Sequence, residues 1–105
     1  MKEISVSELK EMMDQGKDFQ LIDVREPNEY EFANLGGELI PLGTVADNFG
    51  KISRDKPVVV HCRSGARSGQ AVRMLEQQHG FKNLHNLKGG ILAWSAEIDP
   101  SIPRY

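Results

Sequence analysis

The chain has 105 residues, with 13 basic and 15 acidic side chains for a net charge of −2, and a single cysteine. That length suits one domain over residues 1–105, with a folded surface of roughly 5,900 Å² against roughly 17,000 Å² unfolded, enough burial to need no metal or disulfide staples. The lone Cys excludes an internal disulfide and a paired-cysteine metal or redox site; the charge balance argues against nucleic acid as a partner, and no apolar run approaches the ~18 residues of a membrane span.

Met1-Lys2-Glu3-Ile4-Ser5 lacks the apolar stretch of a secretory signal, so a cytoplasmic location is expected. Ser5-Val6-Ser7-Glu8 has the pattern of a capping box. It predicts a helix to about Gln15, stopped by Gly16, with Val6, Leu9, Met12 and Met13 on its core face. Phe19–Val24 reads as a strand. Pro27 opens a short helix through Phe32. Leu39-Ile40 is a short strand ended by Pro41, and Leu42–Phe49 is a weak helix closed by Gly50. Pro57–His61 is the strongest strand, a continuous apolar run of the kind buried on both faces of a parallel sheet. A helix follows from Ser68 to His79, then a strand over Asn83–Leu87, a break at Gly89-Gly90, and a helix from Ile91 to Ile98. The tail from about Asp99, with Pro100 and Pro103, is expected to be irregular. This alternation predicts an α/β fold: a mostly parallel sheet of about five strands, with helices on both faces.

Ligands of such sheets bind beyond the carboxyl ends of the strands. Cys62 lies there, followed by Arg63-Ser64-Gly65-Ala66-Arg67-Ser68 and a helix start. A tight loop entering a helix turns several N–H groups and a positive dipole end toward one point. Arg63 and Arg67 add cations, and no acid occurs between Asp55 and Glu76, where Lys56, Arg63, Arg67 and Arg73 sum to +4. These surroundings favour a thiolate, the nucleophilic form of Cys. The plainer alternative is a small buried hydrophobe.

Two chemistries place a Cys, a loop and an Arg in this order. The tyrosine-phosphatase pattern is H-C-x5-R. His61-Cys62 begins in that way, but Arg67 makes the spacing C-x4-R, a loop one residue short for a phosphate's three oxygens. The shorter ring better fits one extra sulfur atom on the Cys sulfur.

Cys62-Arg63-Ser64-Gly65-Ala66-Arg67-Ser68 resembles the active-site loop of rhodanese-like sulfurtransferases. Leu21–Glu26 with Glu29-Tyr30 resembles that family's first motif, and Leu87–Trp94 its last, so the resemblance runs in order along nearly the whole chain. Within the family, Ala33–Leu42 and Asp99–Tyr105 resemble the rhodanese domain of E1-like adenylyltransferases that activate molybdopterin-synthase or ubiquitin-like sulfur carriers.

The resemblance implies a single rhodanese-like domain in which Cys62 is catalytic. Cys62 would take a sulfane sulfur from thiosulfate or another persulfide and pass it to cyanide or a thiol, including a sulfur carrier. Arg63, Ser64, Gly65, Ala66, Arg67 and Ser68 would bind the substrate, their N–H groups cradling the outer sulfur and the two arginines holding the donor's charge. It implies no metal, no organic cofactor, no nucleic acid and no membrane. The alternatives are a Cys-dependent phosphatase or arsenate-reductase-like enzyme, and a non-catalytic anion- or partner-binding module. The family's G-H-I-x-G-A reads Gly36-Gly37-Glu38-Leu39-Ile40-Pro41 here, and Glu29 stands near Tyr30 where the efficient thiosulfate:cyanide enzymes carry a cation. An acid there would repel thiosulfate. Asp23 and Arg25 read as a structural pair, His61 as facing the core or the sheet end, Trp94 as pocket or core, Ser64 and Ser68 as donors to the sulfur or, for Ser68 equally, an N-cap, and His79 and His85 as surface residues.

Overall fold

Hydrophobic periodicity decides where the chain enters the sheet. The computed structural model describes residues 1–105 and contains five strands: β1 (Lys2–Ile4), β2 (Gln20–Asp23), β3 (Glu38–Leu39), β4 (Val58–His61) and β5 (Leu84–Leu87). Their order is β1-β5-β4-β2-β3, and every pairing is parallel. β4, the run of three valines, lies in the centre with all four residues buried. Val58 and Val60 face one side, Val59 the other, because strand side chains alternate.

Five helices cover the sheet: α1 (Val6–Asp14), α2 (Pro27–Phe32), α3 (Val45–Asn48), α4 (Ala66–His79) and α5 (Gly90–Glu97). One core joins Ile22, Val24, Val58, Val60 and Cys62 to Val45 of α3 and to Ala71, Val72 and Leu75 of α4. The second joins Val59 and Leu87 to Val6 and Leu9 of α1 and to Trp94 of α5. The accessible surface is 5523 Å², close to the roughly 5,900 Å² that the mass implies. No helix is long and apolar enough to cross a membrane.

The Ser5 capping box forms as expected: Ser5 Oγ accepts from the Glu8 N–H and Glu8 Oε1 accepts from the Ser5 N–H. Three features differ from expectation. β1 has only Ile4 buried, too little periodicity to announce itself, and exists by pairing with β5. The weak helix at Leu42–Phe49 breaks into two 3₁₀ turns flanking a single turn of α3. α4 begins at Ala66, two residues early, so Ser68 is not its N-cap; Gly65 is, at φ +107°. Beyond α5 the tail has no helix or strand, but Ser95 Oγ donates to the Ile102 carbonyl at 2.7 Å and Tyr105 returns to the sheet's carboxyl edge.

Asp23 and Arg25 are both fully buried at that edge. Arg25 Nε and Nη2 donate to the Asp23 carboxylate at 2.8–3.1 Å, Nη2 also to the Ala33 carbonyl at 2.6 Å, and Nη1 to the Tyr105 hydroxyl at 2.8 Å. Their position as a structural pair matches the sequence reading. Removing one member of a buried pair strands the other's charge, at a cost of about 3–5 kcal/mol. Asp23→Ala is therefore expected to lower unfolding stability by about that amount, measured by urea titration; an unchanged midpoint would show that the pair bears little on the fold.

Candidate active site

β4 delivers Cys62 to the sheet's carboxyl end, and four residues later the chain is already in α4. Only glycine readily adopts the left-handed conformation of Gly65 that makes this turn. Loop N–H groups converge on one point only if their carbonyls point away. Here the N-terminus of α5 takes those carbonyls: Ile91 N–H donates to the Cys62 carbonyl at 3.0 Å and Leu92 N–H to that of Arg63 at 3.1 Å. Gly89 and Gly90, at φ +80° and +59°, permit this approach. A Cβ on Gly90 would lie 2.5 Å from the Arg63 oxygen.

The Cys62 sulfur accepts from the Gly65 N–H at 3.1 Å and from Ser68 Oγ at 3.4 Å. Burial pushes its pKa up, since Cys62 is only 1% exposed. Hydrogen bonding from the Ser68 hydroxyl and from the Ser68, Gly65 and Ser64 N–H groups outweighs burial, and the thiol ends below its ordinary value. The thiolate is thus favoured by aimed dipoles at the N-terminus of a 14-residue helix.

The arginines are engaged elsewhere. Arg67 grips Glu29 of α2 with both Nη atoms, at 2.6 and 2.8 Å. Those bonds, against the opposing effect of burial, hold the Glu29 carboxyl down at about 2. Tyr105 donates its hydroxyl proton to Glu29 Oε2 at 2.7 Å and accepts from Arg25. The Arg63 guanidinium lies 5.1 Å from the Tyr105 ring centroid. Asp23, Arg25, Tyr105, Glu29 and Arg67 therefore form one chain of bonds from the buried sheet edge to α4.

The expected loop residues are together: Ser64 and Ala66 exposed, Arg63, Gly65 and Arg67 half-buried, Ser68 fully buried. His61 is fully buried, as expected, with Nε2 3.6 Å from Asp23 Oδ2 and neither ring nitrogen hydrogen-bonded. Burial pushes its pKa down. Trp94 belongs to the second core and borders a cavity of about 220 Å³ with Met13, Asn34, Leu35, Asp99 and Ile102, away from Cys62. His79 is half-buried and stacks on Phe49; His85 is half-buried beside the Val58 carbonyl. No His, Cys, Asp or Glu cluster suits a metal. Two site residues had escaped notice. Asn86 of β5 bonds both Ser68 and Gly65, and a polar residue two places after buried Leu84 on a core strand was a usable signal. Tyr105 had none, since only the fold returns the tail to Glu29.

Removing the Ser68 hydroxyl takes a donor from the thiolate and moves the sulfur's pKa upward. A hydrogen bond to a charged group is worth about 1.5–3 kcal/mol, or roughly one to two pH units. The pH midpoint of Cys62 alkylation by iodoacetamide is expected below the ordinary ~8.5 of a free thiol. In Ser68→Ala it is expected to rise by about one unit; no rise would remove Ser68 from the site.

Comparison with known proteins identifies the family. The family described as Rhodanese-like domain matches residues 5–97. The chain is 45% identical to Rhodanese-like/PpiC domain-containing protein 12, chloroplastic, of Arabidopsis thaliana, covering all of this chain and 38% of that protein. It is 32% identical to the probable adenylyltransferase/sulfurtransferase MoeZ of Mycobacterium tuberculosis, over 97% of this chain and 26% of that one. The chain thus spans well under half of these two relatives. Other relatives named as sulfurtransferases are 29–37% identical over most of their length. The crystal structure of a rhodanese-related protein from Thermoplasma volcanium superposes with a TM-score of 0.83 at 30% identity, covering 93% of this chain and 94% of that one. By its ordered motifs, its parallel sheet and these likenesses, the chain belongs to the rhodanese-like family.

Proposed function

We propose that the protein is a sulfurtransferase working through a persulfide on Cys62, with Arg63, Ser64, Gly65, Ala66, Arg67 and Ser68 forming the cradle for the transferred sulfur. The observation that carries this reading is the Cys62 sulfur at the meeting point of the Gly65 N–H and the Ser68 hydroxyl, at the start of α4. Relatives named as sulfurtransferases support the reaction class.

The thiolate attacks the outer sulfur of the donor. With thiosulfate, the Cys62 S–S bond forms as the donor's S–S bond breaks, and sulfite leaves with the electron pair. With a thiol persulfide, the leaving group is the thiolate. A second nucleophile then takes the outer sulfur: cyanide leaves as thiocyanate, or a thiol leaves as its persulfide, and the Cys62 thiolate returns. No net oxidation occurs, so the cycle needs no metal or organic cofactor. With no second Cys to form an internal disulfide, the acceptor must come from outside the chain. A sulfur carrier fits that role, since a relative 34% identical over 92% of this chain is named a putative sulfur carrier protein. A reducing compartment such as the cytoplasm would keep the lone thiol from over-oxidation.

The Glu29–Arg67 pair bears on the donor. Arg67 is neutralised, so the rim attracts a dianion such as thiosulfate less than its two arginines suggest. The sulfur-bearing end of a thiol persulfide carries at most one negative charge, which makes it the better donor at this rim.

Incubation with a sulfane donor is expected to add about 32 Da, one sulfur, by this covalent route, and a thiol or cyanide to remove it. No adduct with any donor, or an adduct persisting in Cys62→Ser, would overturn the reading. Steady aryl phosphate turnover abolished by Cys62→Ser would favour a phosphatase instead. Glu29→Gln is expected to raise kcat/KM for thiosulfate relative to glutathione persulfide by about two- to fivefold, the scale of one partly exposed charge contact; an unchanged ratio would separate Glu29 from donor choice.

A further inference from the structure

Asn86 occupies an unexpected place. It lies on β5, paired with Val60 of β4, and faces the same side as Leu84, which belongs to the apolar core under α4. It is 3% exposed. A buried amide is costly unless its hydrogen bonds are met, and here both ends are used. Nδ2 donates to the Gly65 carbonyl at 3.1 Å, and Oδ1 accepts from Ser68 Oγ at 2.5 Å. Those two partners are the residues whose N–H and hydroxyl reach the Cys62 sulfur.

We infer that Asn86 is a positioning residue for the Cys62 thiolate, tying the Gly65 carbonyl and the Ser68 hydroxyl to the sheet so that the Gly65 N–H and that hydroxyl keep their places beside the sulfur. Ser68 is the third residue of α4. Its Oγ lies 3.4 Å from the Cys62 sulfur and 2.5 Å from Asn86 Oδ1, so one rotamer places the hydroxyl beside both acceptors, and Asn86 holds that rotamer. A hydroxyl has one proton and free rotation, so Ser68 can give it to the sulfur when that is a thiolate. When the charge has moved to the outer atom of a persulfide, the proton returns to Asn86 without a change of rotamer. The Gly65 contact acts in parallel: its carbonyl, on the peptide shared with Ala66, also accepts from the Gly69 N–H, and the second donor from β5 anchors the residue whose own N–H, one peptide earlier, faces Cys62.

This inference rests on the reading of Cys62 as a thiolate nucleophile, and one titration separates the two. The test is the pH midpoint of Cys62 alkylation in the unsubstituted protein and in Asn86→Leu, Ser68→Ala and the double variant, with Asn86→Ser in place of Asn86→Leu should the latter not fold. The nearby charges, Arg67 of α4 and the Glu29 of α2 that pairs with it, are untouched by these changes. The unsubstituted midpoint is expected below the ordinary thiol range, and Asn86→Leu is expected to raise it by about one pH unit, the scale of one hydrogen bond to a charged group. In the double variant the two shifts are expected to add to less than their sum, because much of the Asn86 effect passes through the Ser68 hydroxyl. A midpoint already at the ordinary thiol value in the unsubstituted protein would overturn the reading of Cys62. A low midpoint that Asn86→Leu leaves in place or lowers, or shifts that add fully, would overturn the role of Asn86 alone.

Discussion

The site depends on where two carbonyl groups point. A peptide plane carries its N–H and C=O in opposite directions, so a loop can offer N–H groups to a central atom only if something outside takes its oxygens. In this protein the first turn of α5 does so, with the Ile91 and Leu92 N–H groups on the Cys62 and Arg63 carbonyls. Gly90 allows the contact, since any side chain there would strike the Arg63 oxygen. An element some 30 residues along the chain thereby fixes which way two of the loop's peptides face. Burial pushes the Cys62 pKa up, and the Ser68 hydroxyl with the Ser68, Gly65 and Ser64 N–H groups more than offsets it; of these donors the Ser64 N–H lies on a peptide that α5 orients.

A second consequence concerns charge. The loop's two arginines look in sequence like a strongly positive mouth. In space Arg67 is bound to Glu29, and Arg63 lies against the Tyr105 ring. Tyr105 links Glu29 to Arg25, whose charge is met by Asp23 beneath. The formal charges along this line are Asp23 minus, Arg25 plus, Glu29 minus, Arg67 plus, and they cancel pairwise. What acts on the sulfur at short range is therefore a set of neutral dipoles, and Arg67 contributes at longer range through a charge already shared with Glu29.

The fold was legible because its signals are local. The Ser5 box, the valines of β4 and the glycine after α4 each state their conformation within a few residues, and alternation of strand and helix implies the parallel sheet. Cys62 and its loop were legible for the same reason. What was missed is non-local. β1 exists only through its pairing with β5, and Ser68 read as a cap because the tighter Gly65 turn could not be foreseen. The acid-free interval from Lys56 to Leu75 seemed to leave the cations unopposed, yet Glu29 arrives from α2, 38 residues away from Arg67. Tyr105 crosses 76 residues to reach Glu29.

Dipoles and charges select different things. N–H groups and a hydroxyl within about 3.5 Å of the sulfur act on whatever atom bears negative charge there, whether the Cys62 thiolate or an outer sulfur bonded to it, and their range is that of a hydrogen bond. They suit the common step of any sulfur transfer and say little about the donor's remainder. A donor's own charge is felt farther out, at the rim, where Glu29 and Arg67 stand. In the proposed reaction the chemistry and the choice of donor would therefore fall to separate groups: the loop, α5 and β5 for the sulfur, and α2 with the end of the tail for what delivers it.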